Sequence, residues 1–545
     1  MPKLTIDGKE LEVADGINLI QAADQAGIEI PHYCYHPGLS VVGNCRMCLV
    51  EVEKAPKLQI ACNTRAAEGM VVRTRSNKAR AAQRAVLEFL LINHPIDCPV
   101  CDQAGECKLQ DYYMDYDEQS SRFPLGRKNH KGKALDVGGG IMLDQERCIL
   151  CARCTRFYDE VTHTSELAIF ERGDHCVVDT YPGRKIDNPY AVNAVDICPV
   201  GALTEKEFRF QMRVWYLHRT PSVCGGCERG CSIDIYHHRG RIYRFKPRYN
   251  PEVNGYWICD EGRYSFESYQ REGRLTEPLV QSGDRLVAEP WSEAIARVVS
   301  KIRAYGEEFG AGAIGAIVDA HSTNEEAFAL KHLMKEVIGS DRIAALSWSP
   351  PGASGDDDLL IRANKNPNTR GLAAMGIESE ALTPMGDAAA AGNLKMLIVM
   401  RADLVRTMGE PEFVKRFGPL DYMVVLDTDA NETCQMANQV LPIATYPESG
   451  GTFTNFKGQV QRLNPAFDPP GHARAATEVI AMIGEALDGA PRAKTPAAVF
   501  AAMAAAEPAF AGLALASLGE HGKPLAGASA EGGADAPPPT VTEHR

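Results

Sequence analysis

The stretch His94-Pro-Ile-Asp-Cys98-Pro-Val-Cys101-Asp-Gln-Ala-Gly-Glu-Cys107 brings one histidine and three cysteines into a short segment. Thiolate sulfur is a soft ligand, and a set of four such ligands suits either zinc or an iron–sulfur cubane. Pro95 and Pro99 are expected to keep the backbone extended, and Gly105 to permit a tight reversal. This stretch alone does not separate zinc from iron. The flanking sequence bears on that choice, because it contains three further sets of four cysteines.

Composition limits the classes of protein to consider. A chain of 545 residues is too long for one core, so we expect three or more domains. The net charge of −13 argues against nucleic acid as the main partner. No apolar run is long enough to span a membrane, and the N-terminus begins as strand and turn without a signal-peptide or transit-peptide pattern.

The cysteines are unevenly distributed. There are 17, and only Cys434 lies beyond residue 260. An odd number, clustered C-x-x-C pairs and no secretory signal argue against a disulfide framework. The pattern favours metal ligation in a reducing compartment.

Residues 1–77 are predicted to form a small first domain. Two short strands flank Asp7-Gly8, a hairpin turn signal, and a helix is expected over Asn18–Ala26. A C-x10-C-x2-C-x13-C pattern follows, made by Cys34, Cys45, Cys48 and Cys62. The close pair resembles that of a plant-type [2Fe–2S] ferredoxin, which implies a β-grasp fold, whereas the long first gap departs from that family. A structural zinc site is the alternative.

Residues 78–140 are assigned to the histidine-containing segment. Apolar residues at helical spacing predict an amphipathic helix over 78–93, which Pro95 prevents from continuing. His94 stands four residues before a C-x-x-C pair, so we interpret it as the fourth ligand beside Cys98, Cys101 and Cys107. The alternative is an ordinary histidine that merely ends the helix.

Residues 141–217 contain Cys148-Ile-Leu-Cys151-Ala-Arg-Cys154 and, much later, Cys198-Pro199. This is the bacterial-ferredoxin pattern for a [4Fe–4S] cubane, and a single run predicts a single cubane. Cys176, on a probable strand between the two motifs, is expected to be a small buried hydrophobic residue.

Residues 218–275 carry a C-x2-C-x3-C-x27-C pattern made by Cys224, Cys227, Cys231 and Cys259. It resembles the N-terminal cluster domain of molybdopterin oxidoreductases and predicts a third [4Fe–4S] cluster. Molybdenum enzymes of that group usually carry lysine two residues after the last cysteine, where this chain has Glu261.

Residues 276–488 alternate helix and strand, which predicts a parallel sheet covered by helices. Gly310-Ala-Gly-Ala-Ile-Gly315 spells a dinucleotide fingerprint, but it follows a predicted helix and precedes a strand, so we reject it. The region resembles a shortened molybdopterin domain. Cys434 lies too late in the sequence to hold molybdenum, so with Glu261 it indicates a scaffold without that cofactor.

Residues 489–545 are expected to be a flexible tail with one short helix near 498–506.

The order of the four sets resembles the large iron–sulfur subunit of NADH–quinone oxidoreductase, respiratory complex I. The resemblance implies a multidomain α+β and α/β protein that relays single electrons from the NADH/FMN subunit towards quinone. It implies one [2Fe–2S] and three [4Fe–4S] clusters, with no flavin, pterin or molybdenum and no catalytic residue on this chain. It also implies partner subunits of the complex's peripheral arm and a peripheral location on the cytoplasmic side of the bacterial inner membrane.

Three alternatives stay open. One is a molybdenum formate dehydrogenase. The second is the electron-transfer chain of an NAD-linked hydrogenase, which shares the first three sites. The third, from a different class, is a zinc-scaffolded interaction module.

Overall fold

The structure is a computed structural model that describes residues 1–116 and 120–527, apart from the side chain of Leu125. Contacts divide the chain into two compact units, Met1–Leu217 and a second that begins at His218. Across the described ranges, no helix is both long and apolar enough to cross a membrane.

The first unit opens with a five-stranded sheet. Its elements are β1 Lys3–Ile6, β2 Lys9–Glu12, α1 Leu19–Gln25, β3 Leu49–Val52, β4 Gln59–Ile60 and β5 Met70–Arg73. The strand order is β2-β1-β5-β3-β4, with β1 and β2 antiparallel around Asp7-Gly8 and β1 parallel to β5. Asn18 begins α1 as a capping box with Gln21. This is the hairpin and helix predicted from the sequence, in a small sheet that packs on α1.

The rest of the first unit consists of short elements around the next two cysteine sets. They are α2 Asn77–Leu91, α3 Lys108–Tyr116, β6 Leu135–Gly138, β7 Ile141–Leu143, α4 Arg153–Glu160, β8 Leu167–Phe170, β9 Val177–Thr180, α5 Asn193–Asp196 and β10 Leu203–Glu205. Short 3₁₀ turns lie at Ala61–Asn63, Cys98–Val100, Leu125–Arg127, Gly173–His175 and Val214–Tyr216. Ser76 caps α2 through the Ala79 amide. Pro99 lies inside a 3₁₀ turn, where its fixed φ is tolerated, so the extended backbone expected there is not found.

The second unit begins with an antiparallel sheet that carries the fourth cysteine set. Its elements are β11 His218–Val223, β12 Ser232–His238, β13 Arg241–Pro247 and α6 Asp260–Tyr264, with a 3₁₀ segment at Ser265–Tyr269. The strands lie in the order β11-β12-β13.

A seven-stranded sheet with helices follows. Its elements are β14 Leu279–Ser282, β15 Arg285–Ala288, α7 Trp291–Phe309, β16 Ile314–Asp319, α8 Asn324–His332, β17 Ile343–Leu346, α9 Thr369–Ala374, α10 Leu382–Ala390, β18 Met396–Met400, α11 Leu404–Met408, α12 Glu410–Phe417, β19 Tyr422–Asp427, α13 Glu432–Gln435 and β20 Gln439–Pro442. Single turns lie at Ala311–Ala313 and Ser379–Ala381, and α8 continues as a π-helix over Leu333–Ile338.

The strand order is β15-β14-β20-β19-β18-β16-β17. The five strands from β16 to β20 pair in parallel, as predicted, while β14 pairs antiparallel with β20 and with β15. The sheet is therefore mixed. The antiparallel hairpin of β14 and β15 at its edge was not predicted from the sequence. Gly310 ends α7 and Gly315 lies within β16, so these glycines form no phosphate-binding turn between a strand and a helix.

The last described segment adds α14 Tyr446–Ser449, β21 Gly451–Thr454, β22 Gln459–Leu463, α15 Ala476–Asp488, α16 Pro496–Ala506 and β23 Lys523–Pro524, with turns at Pro508–Phe510 and Leu515–Ser517. The helix expected near 498–506 is present as α16. The flexible tail expected from 489 is not found as far as 527. Val499, Phe500, Met503 and Phe510 are buried in the core of the second unit. The rest of that expectation, over 528–545, lies outside the described residues.

The end of this segment contacts two earlier parts of the second unit. β23 pairs with β22 through Lys523 and Val460. The Arg248 guanidinium donates to the Glu520 carbonyl at 3.0 Å. The final described turn therefore closes onto the antiparallel sheet at the start of the second unit.

Candidate metal centres

The first cysteine set lies in the loop between α1 and β3 and in the 3₁₀ turn after β4. The Cys34 thiol lies within hydrogen-bonding reach of Cys45 and Cys62, and the Cys48 thiol within reach of Cys62. Hydrogen bonds from Cys45 and Cys62 lower the pKa of Cys34, while the same contacts and burial raise the pKa of those two donors. Gly43 and Arg46 adopt φ of 61° and 59°, so the backbone turns sharply around the close pair. The structure thus brings all four predicted residues together.

The second set follows α2. His94, Cys98 and Cys107 line one cavity of about 680 Å³, and the buried Cys101 lies close enough to Cys107 to influence its pKa. Burial raises the pKa of Cys107 to about 12, with Cys98 and Cys101 adding to the shift. Gly105 has φ of +92°, which supports the predicted reversal before Cys107.

Two arginines hold this second loop. Arg213 donates to the Cys101 and Pro99 carbonyls, both at 2.6 Å. Arg147 forms a bidentate pair with Asp97, through Nε at 3.0 Å and Nη2 at 2.5 Å. Bidentate guanidinium contacts fix geometry as well as charge, so the loop is clamped on both sides of Cys98.

His94 is held in its neutral form. Burial lowers its pKa to about 4, with Lys128 and Arg147 also opposing protonation. The Ile96 amide donates to Nδ1 at 3.1 Å, a partner that the sequence alone did not identify. Neutral imidazole is the form that ligates metals, so both the protonation state and the position of His94 suit a ligand.

The third set surrounds an enclosed cavity beside α4. Cys148, Cys151, Cys154 and Cys198 all line it, together with Leu143, Val178 and Leu203. Leu150 and Ala152 adopt left-handed φ of 54° and 60°, conformations that non-glycine residues rarely take. The Leu150 amide donates to the Cys148 sulfur at 3.4 Å. The strained loop and apolar lining are typical of a backbone wrapped around a bound group.

The fourth set lines a second enclosed cavity, in the second unit. Cys224, Cys227, Cys231 and Cys259 share it with Ile258, Leu360 and Ile361. A methyl group on Gly262 would lie 3.0 Å from the Cys224 sulfur and 3.2 Å from that of Cys259. The Gly262 amide also donates to the Cys259 sulfur at 3.2 Å. A glycine is therefore needed where the backbone approaches both sulfurs.

A lysine missed by the sequence reasoning also lines this cavity. Lys365 is 5% exposed, and its ammonium lies 2.8 Å from a Glu261 carboxylate oxygen. Its charge opposes the rise in the pKa of Cys227 that burial causes. No local pattern pointed to this pair, because about a hundred residues separate Lys365 from Glu261. A cation thus lies near the fourth set although glutamate occupies the position two residues after Cys259.

The buried thiols of the third and fourth sets are neutral without a bound group. Burial raises the pKa of Cys148 to about 12, of Cys151 to about 11 and of Cys224 to about 12. Only thiolates bind metal, so loading these sites must release protons. Loading is consequently expected to weaken as the pH falls.

Throughout the described residues, no three His, Cys, Asp or Glu side chains meet the geometry of a site for a single metal ion. The four sets are defined instead by shared cavities, by contacts among their side chains and by ligand spacing. Their donor chemistry, four soft or borderline ligands each, fits iron–sulfur clusters.

The remaining two cysteines differ from these sets. Cys176 directly precedes β9 and is part-exposed, its thiol donating to the Glu171 carbonyl at 3.5 Å. The buried position expected for it is not found, because the 3₁₀ turn before β9 leaves it at the surface. Cys434 is buried in α13, where its thiol donates to the Asp429 carbonyl at 3.5 Å.

A cleft of about 570 Å³ opens where β16, β18 and β19 end. Parallel sheets commonly bind ligands at this edge. Arg401 lines the cleft, but its guanidinium is committed to Glu326 at 2.6 Å and 3.0 Å. Burial raises the pKa of Asp427, also in the lining, to about 6. The Arg401 charge at this edge is therefore paired within the protein.

Family models match five successive segments. A 2Fe-2S iron-sulfur cluster binding domain matches 2–77, and the NADH-ubiquinone oxidoreductase-G iron-sulfur binding region matches 83–122. The ferredoxin-like domain of NADH-quinone oxidoreductase subunit 3 matches 138–204. A molybdopterin oxidoreductase Fe4S4 domain matches 217–270, and molybdopterin oxidoreductase matches 361–486. These matches define an iron–sulfur protein of mixed α/β, multidomain construction, with both 2Fe–2S and 4Fe–4S binding domains.

Several relatives carry the name of the G subunit of NADH-quinone oxidoreductase. The chain is 41% identical over 343 residues to that of Streptomyces coelicolor, covering 62% of this chain and 40% of the relative. It is 40% identical over 341 residues to that of Rickettsia conorii, covering 63% and 50%. The resemblance inferred from the sequence is thus confirmed as homology. The chain spans about half the length, or less, of the curated relatives it matches.

One solved structure, an NAD⁺-reducing [NiFe]-hydrogenase in the H₂-reduced state, is 30% identical with a TM-score of 0.36. The match covers 39% of this chain and 91% of the hydrogenase chain.

Proposed function

We propose that this chain is an electron-relay subunit of an NADH–quinone oxidoreductase. The observation that carries the proposal is that each of the four ligand sets is gathered in space, in the same order as the matched iron–sulfur domains. Iron–sulfur clusters exchange one electron at a time, which is the chemistry they supply when bound. The names of the homologues support the choice of complex.

The proposed ligands are the sixteen residues of the four sets. The [2Fe–2S] ligands are Cys34, Cys45, Cys48 and Cys62, and those of the three [4Fe–4S] clusters are His94, Cys98, Cys101 and Cys107; Cys148, Cys151, Cys154 and Cys198; and Cys224, Cys227, Cys231 and Cys259. Four protein ligands per cluster leave no open position for an organic substrate, so no catalytic residue is assigned. Apolar side chains supply part of the lining around the third and fourth sets, which limits the contact of the sulfurs with water.

Partners and location follow from the same proposal. Nothing in the sequence points to a flavin site, so electrons would enter from a flavoprotein subunit that oxidises NADH. They would leave through other subunits of the peripheral arm towards quinone. We place the chain peripherally on the cytoplasmic side of the bacterial inner membrane.

We further propose that the second unit holds no pterin or molybdenum and serves as a scaffold. The commitment of Arg401 to Glu326 supports this role, as does the burial of Cys434, which does not line the cleft. The runner-up function, a molybdenum formate dehydrogenase, would instead require metal and pterin in the cleft.

Metal analysis tests the whole proposal. The anaerobically purified full-length chain should hold about 14 irons with matching sulfide, and its visible absorption should bleach on reduction. Molybdenum and pterin should be absent after acid extraction. Zinc in place of iron would overturn the relay, and stoichiometric pterin would favour the dehydrogenase. A value of about ten irons, with Cys224–Cys259 open to alkylation, would mean that the fourth site is empty.

Replacing His94 by cysteine should lower the reduction potential of the second cluster. Thiolate adds one negative charge that imidazole lacks, and extra negative charge favours the oxidised core. His94→Ala should be harsher, because it opens a coordination position to solvent. EPR-monitored redox titration of this cubane measures both effects.

His163→Cys, the same substitution at an exposed histidine, provides the matched control. If His94→Cys left both midpoint and line shape unchanged, His94 would merely end the helix and would not be a ligand.

A further inference from the structure

Arg153 joins the main chain beside two different cysteine sets. It is the first residue of α4, between Cys151 and Cys154 of the third set. One arm of its guanidinium donates to the Ile197 carbonyl at 3.1 Å, directly before Cys198. The other arm donates to the Tyr35 carbonyl, directly after Cys34 of the first set. A single planar group therefore bridges a ligand loop of each set.

The same helix holds the first loop at further points. Arg156 donates through Nη2 to the Cys34 carbonyl at 2.5 Å, and through Nη1 to the Ser40 carbonyl. The Ser40 amide donates to Glu160 at 2.8 Å. Three side chains of α4 thus bind the loop that carries the first ligand of the first set.

The guanidinium of Arg153 is part-buried near thiols of both sets. An arginine guanidinium stays protonated in proteins, so this group carries its positive charge here. Burying a cation is costly unless it is hydrogen-bonded or paired, and here carbonyls bond to both of its arms. The arrangement therefore places a fixed positive charge between the two proposed clusters.

We infer that Arg153 is a positioning residue for electron transfer between the first and third sets. Its two arms fix the separation of the ligand loops, and its charge raises the reduction potential at both. The inference rests on the proposed function, because it presupposes clusters at both sets. The step moves one electron from the first set to the third, breaks no covalent bond and needs no reactant beyond NADH and quinone.

Two substitutions separate the contribution of the two hydrogen bonds of Arg153 from that of its charge. Arg153→Met removes the charge and both hydrogen bonds, so both midpoint potentials should shift negative. Arg153→Lys keeps the charge, but one ammonium cannot span both carbonyls in the fixed fork of a guanidinium. Its midpoints should therefore stay near those of the wild type, while magnetic coupling between the two clusters weakens and NADH-driven reduction of the third set slows. Arg172→Met, at an exposed arginine of the same unit, is the matched control.

The experiment uses the full chain in its assembled complex, with iron content, EPR redox titration and freeze-quench reduction by NADH. If Arg153→Met keeps its iron and its wild-type midpoints, the charge has no role. If Arg153→Lys keeps wild-type coupling and reduction rate, the bridge has no positioning role. Together these two results overturn the inference. If Arg153→Met loses iron, its midpoint potentials cannot be compared with those of the wild type. The magnetic coupling and reduction rate of Arg153→Lys then decide whether the inference holds. A wild-type complex lacking both EPR signals would instead refute the proposed function itself.

Discussion

Replacing Gly201 by alanine is expected to strip iron from the second set. Gly201 lies on the loop after Cys198, and an added methyl would lie 2.4 Å from the Cys101 sulfur and 3.0 Å from the β-carbon of Gln103. The clash is relieved most cheaply by rotating Cys101, which takes its sulfur away from the other three ligands. We expect loss of about four irons and of that cubane's EPR signal. Overpacking should also lower the free energy of unfolding by ~1–3 kcal/mol.

Gly126→Ala provides the control, because a methyl there would meet nothing within 4 Å. Iron analysis and low-temperature EPR of the two variants make the comparison. Full iron content and an unaltered spectrum in Gly201→Ala would show that the Cys101 sulfur has room to move, or that it does not bind the cluster.

Truncation after Gly489 is expected to unfold the second unit. It removes α16 and the turn after it, including Phe500 and Phe510, which are 1% and 0% exposed. Losing each large core side chain costs ~3–5 kcal/mol, against a total stability of ~5–15 kcal/mol for a typical domain. The buried residues Val499, Met503 and Leu518 are lost as well. Limited proteolysis and thermal unfolding of the truncated chain measure the effect.

A point variant of the full-length chain tests the same core contacts without shortening the chain. Phe500→Ala should cost ~3–5 kcal/mol, because the cavity lies in the core. Phe89→Ala, the same change at a side chain 74% exposed, should cost well under ~1 kcal/mol. Equal thermal stability of the two variants, with a truncated chain that stays folded, would mean that α16 does not support the second unit.

Local patterns predicted the parts of the molecule that local chemistry determines. The hairpin at Asp7-Gly8, the helix before Pro95 and the ligand spacings are each set by a few adjacent residues. The alternation of helix and strand over 276–488 was predictable because its parallel strands, such as Met396–Met400, are buried on both faces and therefore strongly apolar.

The features that were missed depend on distant residues. Arg153 and Lys365 are ordinary charged residues in the sequence, and only the fold reveals that both lie close to thiols. The alanine-rich composition around 496–506 suggested little to bury, yet Val499, Phe500 and Met503 all lie on the buried side of α16. Composition averages over a segment, whereas packing depends on which face carries the few large side chains.

The closure of β23 onto β22 has a consequence for how the chain is made. The second unit cannot complete this pairing until residue 524 has left the ribosome, about 300 residues after the end of the first unit. At ~5–20 residues per second, that interval is roughly 15–60 s. Until then Arg248 lacks the Glu520 carbonyl, and β22, once it has been made, lacks its final neighbour. The first unit's ligand loops, by contrast, are already free of the translation machinery, so they have the earlier opportunity to receive metal.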